Sequence, residues 1–144
     1  MSDSPVISWE PADRWTAGHA SELYDVARWG KGYFSVGENG HLYVHPGKDP
    51  ARSISLKDLS DSLVKRGIQM PILMRFGEII KTRLGEINQA FQSAIRDHGY
   101  KAGYRCVFPI KVNQQRHVVE EVYRFGRPYG FGLEAGRRDR KSVV

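Results

Sequence analysis

The residue best placed to do chemistry in this chain is Lys111. It closes an apolar, β-prone run containing Tyr104, Cys106, Val107, Phe108 and Ile110, and a helix-like segment follows at Gln115. Burial at a strand end disfavours an ammonium, depresses its pKa and leaves a nucleophilic amine. Such an amine can form a Schiff base with an aldehyde. The same pattern also describes a lysine that lays its stem on apolar surface and reaches water with its charge. The pattern alone leaves both readings open.

The elements around Lys111 explain how it would be positioned. A helix is expected over about Gln115–Phe125, with Val118, Val122 and Phe125 on one face and Gly126 as its stop. Arg127-Pro128 turns the chain into a second β-prone run, Tyr129–Leu133, which ends at Glu134. Strand, helix and strand make a βαβ unit, the repeat of a parallel barrel. Active groups in such barrels sit at the C-terminal strand ends, where Lys111 and Glu134 both fall. A strand-end carboxylate such as Glu134 serves equally well to bond nearby backbone. Asn113 is read as a cap for the following helix that also fixes the approach of the lysine.

Further upstream, Ile80, Leu84, Ile87, Phe91, Ala94 and Ile95 follow a helical rhythm that predicts a long helix over Gly77–His98, stopped by Gly99. A shorter helix is expected after Ser55 as N-cap, with Leu56, Leu59, Leu63 and Val64 on its apolar face and Gly67 past its end. Residues 67–74 read as an apolar connector, made extended by Pro71. Two alternating runs within Tyr33–Val44 flank Asn39-Gly40, which predicts a hairpin closed by a type I′ turn. Residues 1–20, with Trp9 and Trp15, show no clean period and read as an arm.

Composition narrows the function classes. The chain has 144 residues, 40% hydrophobic and 26% charged, with no run near the ~18 apolar residues of a membrane span. Its first ten residues lack the basic and apolar regions of a secretion signal, so a cytoplasmic protein is expected. The one cysteine, Cys106, forms no internal disulfide and reads as a small buried hydrophobe. His41, His45 and His117 are too scattered for a metal signature, so no metal ligands are assigned. The net charge of +6 suggests a polyanionic partner, but residues 137–144 hold four Lys/Arg against one Asp. No basic stripe remains without them. A nucleic-acid-binding basic module is therefore the rival reading, which a steep salt dependence would reveal.

Longer words decide between these readings. They are residues 24–30 (Tyr-Asp-Val-Ala-Arg-Trp-Gly), 32–36 (Gly-Tyr-Phe-Ser-Val), 71–76 (Pro-Ile-Leu-Met-Arg-Phe), 109–114 (Pro-Ile-Lys-Val-Asn-Gln) and 132–136 (Gly-Leu-Glu-Ala-Gly). In this order and spacing the chain, from about Tyr24 to Gly136, resembles the N-terminal part of the biosynthetic arginine decarboxylases of bacteria and plants. That family is similar in fold to alanine racemase and the eukaryotic ornithine decarboxylases. The resemblance implies an α/β fold: the opening βα units of a pyridoxal phosphate (PLP)-binding (β/α)8 barrel, preceded by a β-hairpin belonging to a β-domain. It implies decarboxylation of L-arginine to agmatine for polyamine synthesis, with Lys111 as the cofactor lysine and Glu134 beside the cofactor. It also implies magnesium, a homo-oligomer for the full-length enzyme, and no nucleic-acid or membrane partner. A PLP-dependent decarboxylase of another basic amino acid is the alternative within this class.

On this reading residues 1–30 are an arm, 31–50 the β-domain hairpin, 51–136 the start of the barrel and 137–144 a non-native tail. Arg137 departs from the family's serine, and residues 139–144 match what a sequencing adapter would encode. A complete barrel needs roughly 250 residues, so the chain is expected to be an incomplete piece. The family's glycine-rich phosphate cradle, the acid facing the pyridine nitrogen, the histidine stacked on the ring and the substrate-binding acids all lie later. The 144-residue chain is therefore expected to be inactive by itself.

Overall fold

The computed structural model describes residues 15–136; the expectations for the first part of the arm and for the tail at 137–144 fall outside the described residues. Two small sheets and five helices make up the described residues, a mixed α/β arrangement that does not itself close into a barrel.

The first sheet is antiparallel and holds β1 (Phe34–Val36), β2 (Leu42–Val44) and β3 (Ile54–Ser55) in that order. Phe34 faces Val44 and Val36 faces Leu42, so the expected hairpin forms. Its turn differs from the expected type. Gly40 N–H donates to the Gly37 carbonyl (2.8 Å) and Gly37 N–H to that of His41 (2.9 Å), which centres the turn on Glu38-Asn39. Only Gly40 takes a left-handed backbone there (φ 77°), the pattern of a turn closed by a glycine bulge. The Asn39 side chain instead accepts from His41 N–H (3.1 Å) and donates to the Tyr43 hydroxyl (3.0 Å). β3, at two residues, is too short to show an alternating pattern in the sequence.

Part of the segment read as an arm is helical: α1 spans Ala17–Leu23 and α2 Val26–Gly30. Thr16 caps α1 by accepting from His19 N–H (3.2 Å). α1 buries none of its residues, which is why it carries no apolar period. α3 (Leu56–Lys65) and α4 (Gly77–Asp97) lie where the apolar spacing places them. Ser55 accepts from Asp58 N–H at the start of α3 (3.2 Å). Both helices end on a left-handed glycine, Gly67 (φ 85°) and Gly99 (φ 59°). Beyond each glycine the next amide donates back to the carbonyl five residues earlier, Ile68 to Leu63 and Tyr100 to Ile95.

α4 connects the two halves. Lys48, whose Nζ lies 4.7 Å over the Tyr33 ring, pairs with Glu86 on α4, and Arg52 pairs with Glu78 (3.2 Å). Beneath these pairs Val44 is fully buried and Tyr33 nearly so. On its other side α4 packs against α5 (Arg116–Gly126), where Leu84, Val118, Val122 and Phe131 are buried. No helix among the described residues is long and apolar enough to cross a membrane.

Candidate active site

The second sheet pairs β4 (Val107–Pro109) with β5 (Gly132–Glu134) in parallel, with α5 as the crossover. This is the expected βαβ unit, with shorter strands. Pro109 has no amide to donate to the ladder and sits at the C-terminal edge of β4, where the chain enters a 3-10 turn over Ile110–Val112. Lys111 stands in that turn, one step beyond the strand that was expected to carry it. Pro109 was the available signal.

The register sets Pro109 opposite Glu134, so Lys111 and Glu134 come to the same C-terminal end of the parallel pair. Their exposure differs from expectation. Lys111 is exposed, not buried at a strand end, and Glu134 is exposed as well. Val112 beside the lysine is 71% exposed and Val107 on β4 is 53% exposed.

The turn after Lys111 is held by Asn113, whose Oδ1 accepts from Gln115 N–H (3.1 Å). Asn113 thus shapes the turn ahead of the helix rather than capping it. Gln115 occupies the N-cap and makes no side-chain cap bond. Arg116 and Glu120 pair along the first turn of α5 (2.7 Å). Gly126 ends the helix close to β5: a Cβ there would lie 2.6 Å from that of Phe131, so only glycine allows this approach. Cys106 is half-buried, short of the buried hydrophobe expected. A hydrogen bond with it, and then desolvation, raises the pKa of the Tyr104 hydroxyl, while the Tyr104 ring stacks on Phe91 (centroids 3.7 Å apart).

Chemically, the end of this sheet offers one accessible primary amine with a carboxylate on the neighbouring strand. The main clefts lie elsewhere; an aromatic one of about 410 Å³ is lined by Phe91, Ile95, His98, Tyr100 and Tyr104. Among the described residues no three His, Cys, Asp or Glu side chains are grouped to hold a metal ion.

No family model matches the chain. Among curated proteins, the biosynthetic arginine decarboxylase of Rhodopirellula baltica is 50% identical over 125 residues, 87% of this chain and 19% of the relative. Those of Gloeobacter violaceus (45% identical, 86% of this chain, 19% of the relative) and Geotalea daltonii (44%, 88% and 20%) are also similar. The crystal structure of the biosynthetic arginine decarboxylase SpeA from Campylobacter jejuni superposes with a TM-score of 0.74 at 29% identity, over 83% of this chain and 20% of that one. The chain is similar to the biosynthetic arginine decarboxylases. It spans about a fifth of the length of the relatives it matches.

Proposed function

We propose that this chain supplies the cofactor lysine, Lys111, of a PLP-dependent arginine decarboxylase that converts L-arginine to agmatine for polyamine synthesis. The observation that carries this reading is the parallel β4–α5–β5 unit, which brings Lys111 and Glu134 to one C-terminal sheet end. In a (β/α)8 barrel, which these would be the first units of, that end is the catalytic face. The 41–50% identity to arginine decarboxylases along most of the chain supports the same substrate.

The groups present fit one end of PLP. An accessible amine on a short, stiff turn suits an aldehyde carbon, and the Glu134 carboxylate beside it suits a supporting contact to the cofactor. PLP, when bound, supplies an electron sink for the carbanion left by departing CO2. Lys111 would hold the cofactor through its aldehyde, and its amine would serve to carry a proton during the reaction. Asn113 and Pro109 on either side limit its range of approach. Magnesium is expected from the resemblance alone; the described residues hold no group of three His, Cys, Asp or Glu side chains, and no ligands are assigned to it. A cytoplasmic homo-oligomer is the expected form of the full-length enzyme.

The test is a chimera of the Rhodopirellula baltica relative in which its aligned segment is replaced by this chain's own. Agmatine and CO2 from L-arginine, and neither from L-lysine or L-ornithine, are the expected products. A folded chimera that favours lysine or ornithine contradicts the substrate assignment. The 144-residue chain assayed alone is expected to give no agmatine above background.

A further inference from the structure

The turn that carries Lys111 is held on its C-terminal side by one side chain. Lys111, Val112 and Gln114 are all exposed, so packing among the described residues does not fix them. Within residues 110–115 the one side-chain hydrogen bond is that of Asn113, whose Oδ1 accepts from Gln115 N–H at 3.1 Å. Asn113 is half-buried and extended (φ −149°, ψ 105°), and its oxygen, reaching forward two residues, closes an Asx turn. The far end of that bond is itself fixed. The Gln115 carbonyl accepts from Val118 N–H (2.9 Å) and Val119 N–H (3.1 Å), and Val118 and Val122 are buried where α5 packs on α4. On the other side of Lys111, Pro109 is paired opposite Glu134 with its φ set by the ring (−77°).

We infer that Asn113 is a positioning residue for the reaction: through its Asx turn it sets where the Lys111 amine stands, and so governs turnover and not the affinity for arginine. The inference rests on the proposed role of Lys111. A lysine amine at the end of a flexible stem is only as well placed as the Cα that carries it. A displacement of about 1 Å at a reacting group can cost a hundredfold in rate. The Lys111 Cα lies two residues from the last paired residue of β4 and two from the Asn113 bond, and the residue is exposed. Loss of that bond frees the segment between a fixed strand and a fixed helix. The side chain required is specific. Aspartate keeps an acceptor oxygen at the same reach, alanine removes it, and glutamine keeps the amide but carries the oxygen one methylene too far to close the same turn.

The experiment takes the chimera with the Rhodopirellula baltica relative, loaded with PLP, as the parent. Asn113→Ala should lower kcat about tenfold to a hundredfold while KM for L-arginine stays within about twofold. Hydrogen exchange of the peptide covering residues 110–115, read by mass spectrometry, should become faster, and exchange in the rest of α5 should not. Asn113→Asp should recover most of the lost kcat and the slow exchange, and Asn113→Gln should behave as alanine does. An unchanged kcat, a loss that falls on KM alone, a loss without faster exchange, or an aspartate variant no better than alanine overturns the inference. Should Asn113→Ala not fold, Asn113→Gln is read in its place by the same criteria; failure of both to fold assigns Asn113 to folding and also overturns it. PLP attached to another lysine removes the proposed function itself, whereas attachment to Lys111 with kcat indifferent to Asn113 removes this inference alone. If the parent is labelled at Lys111 but inactive, exchange and the rate of PLP labelling at Lys111, which Asn113→Ala should slow, decide the matter.

Discussion

The antiparallel sheet and the parallel pair handle exposure in opposite ways. Around β1–β3 the centre of the sheet is enclosed, although Ile54 at its edge is 39% exposed: Val44 is fully buried, Tyr33 is 5% exposed, and Lys48 and Arg52 tie the sheet to α4 through Glu86 and Glu78. Around β4 and β5 one face is buried, with Phe131, Val118 and Val122 enclosed, and the other is open. Val107 is bare, Leu133 is 38% exposed, and Lys111 and Glu134 face solvent. The first region is tied together by ion pairs to α4, whereas the parallel pair leaves its C-terminal end open to solvent among the described residues. The proposed cofactor lysine lies in the more exposed of the two regions.

The contrast breaks most readily on a matched pair of valines. Val44→Ala should cost about 2 kcal/mol of stability, because it removes methyl groups from a fully enclosed site. Val107→Ala should cost less than about 0.5 kcal/mol, because half of that side chain already meets water. Urea unfolding of both variants checks this, and equal losses would show that β4 has its own core.

Gly126→Ala probes the best-packed point of the parallel region. The added methyl meets Phe131 at 2.6 Å, so a loss of about 1–2 kcal/mol is expected. A neutral result, read by thermal unfolding, would mean that β5 is free to move away from α5. Ser55→Ala, in the antiparallel sheet, removes the N-cap of α3 and a bond shared with His41 (3.1 Å), which should lower stability by about 1 kcal/mol.

The smallest effect is a pH dependence. The hydrogen bond from Lys48, followed by that from Arg83, holds the Glu86 carboxyl below its usual range against a desolvation that raises it. A folded-state pKa that is depressed gives stability above the unfolded value, near 4.3, that is lost as pH falls through the folded one. Glu86→Gln should therefore lower the Tm at pH 7, by the equivalent of about 0.5–1 kcal/mol for a partly exposed pair, and make little difference at pH 2. An unchanged Tm at pH 7 would remove the Lys48–Glu86 pair from the ties to α4.

What the sequence made legible follows the same division. α3 and α4 each bring an apolar period and a terminal glycine, Gly67 and Gly99, so local chemistry was enough to place them. The βαβ order was legible because α5 buries Val118 and Val122 at helical spacing. α1 hid because it buries nothing, and β3 because two residues carry no period. The turn at Glu38-Asn39 was misassigned because the Asn39 side chain bonds His41 and Tyr43, interactions that depend on the folded hairpin. At the site, the position of Lys111 at the C-terminal end of the parallel pair was readable from its neighbours, whereas its exposure was not. Burial depends on contacts distant in sequence, and the described residues leave Lys111 and the adjacent Val112 exposed.

The central claim, that Lys111 is the cofactor lysine, is tested most directly by covalent mapping. The chimera with the Rhodopirellula baltica relative is incubated with PLP, reduced with borohydride, digested and analysed by mass spectrometry. The account predicts the added pyridoxyl phosphate mass on the peptide containing Lys111, and with Lys111→Ala its loss together with a fall in kcat/KM of at least about a thousandfold, roughly 4 kcal/mol. The label on a different lysine of an active chimera, with Lys111 unmodified, would contradict it.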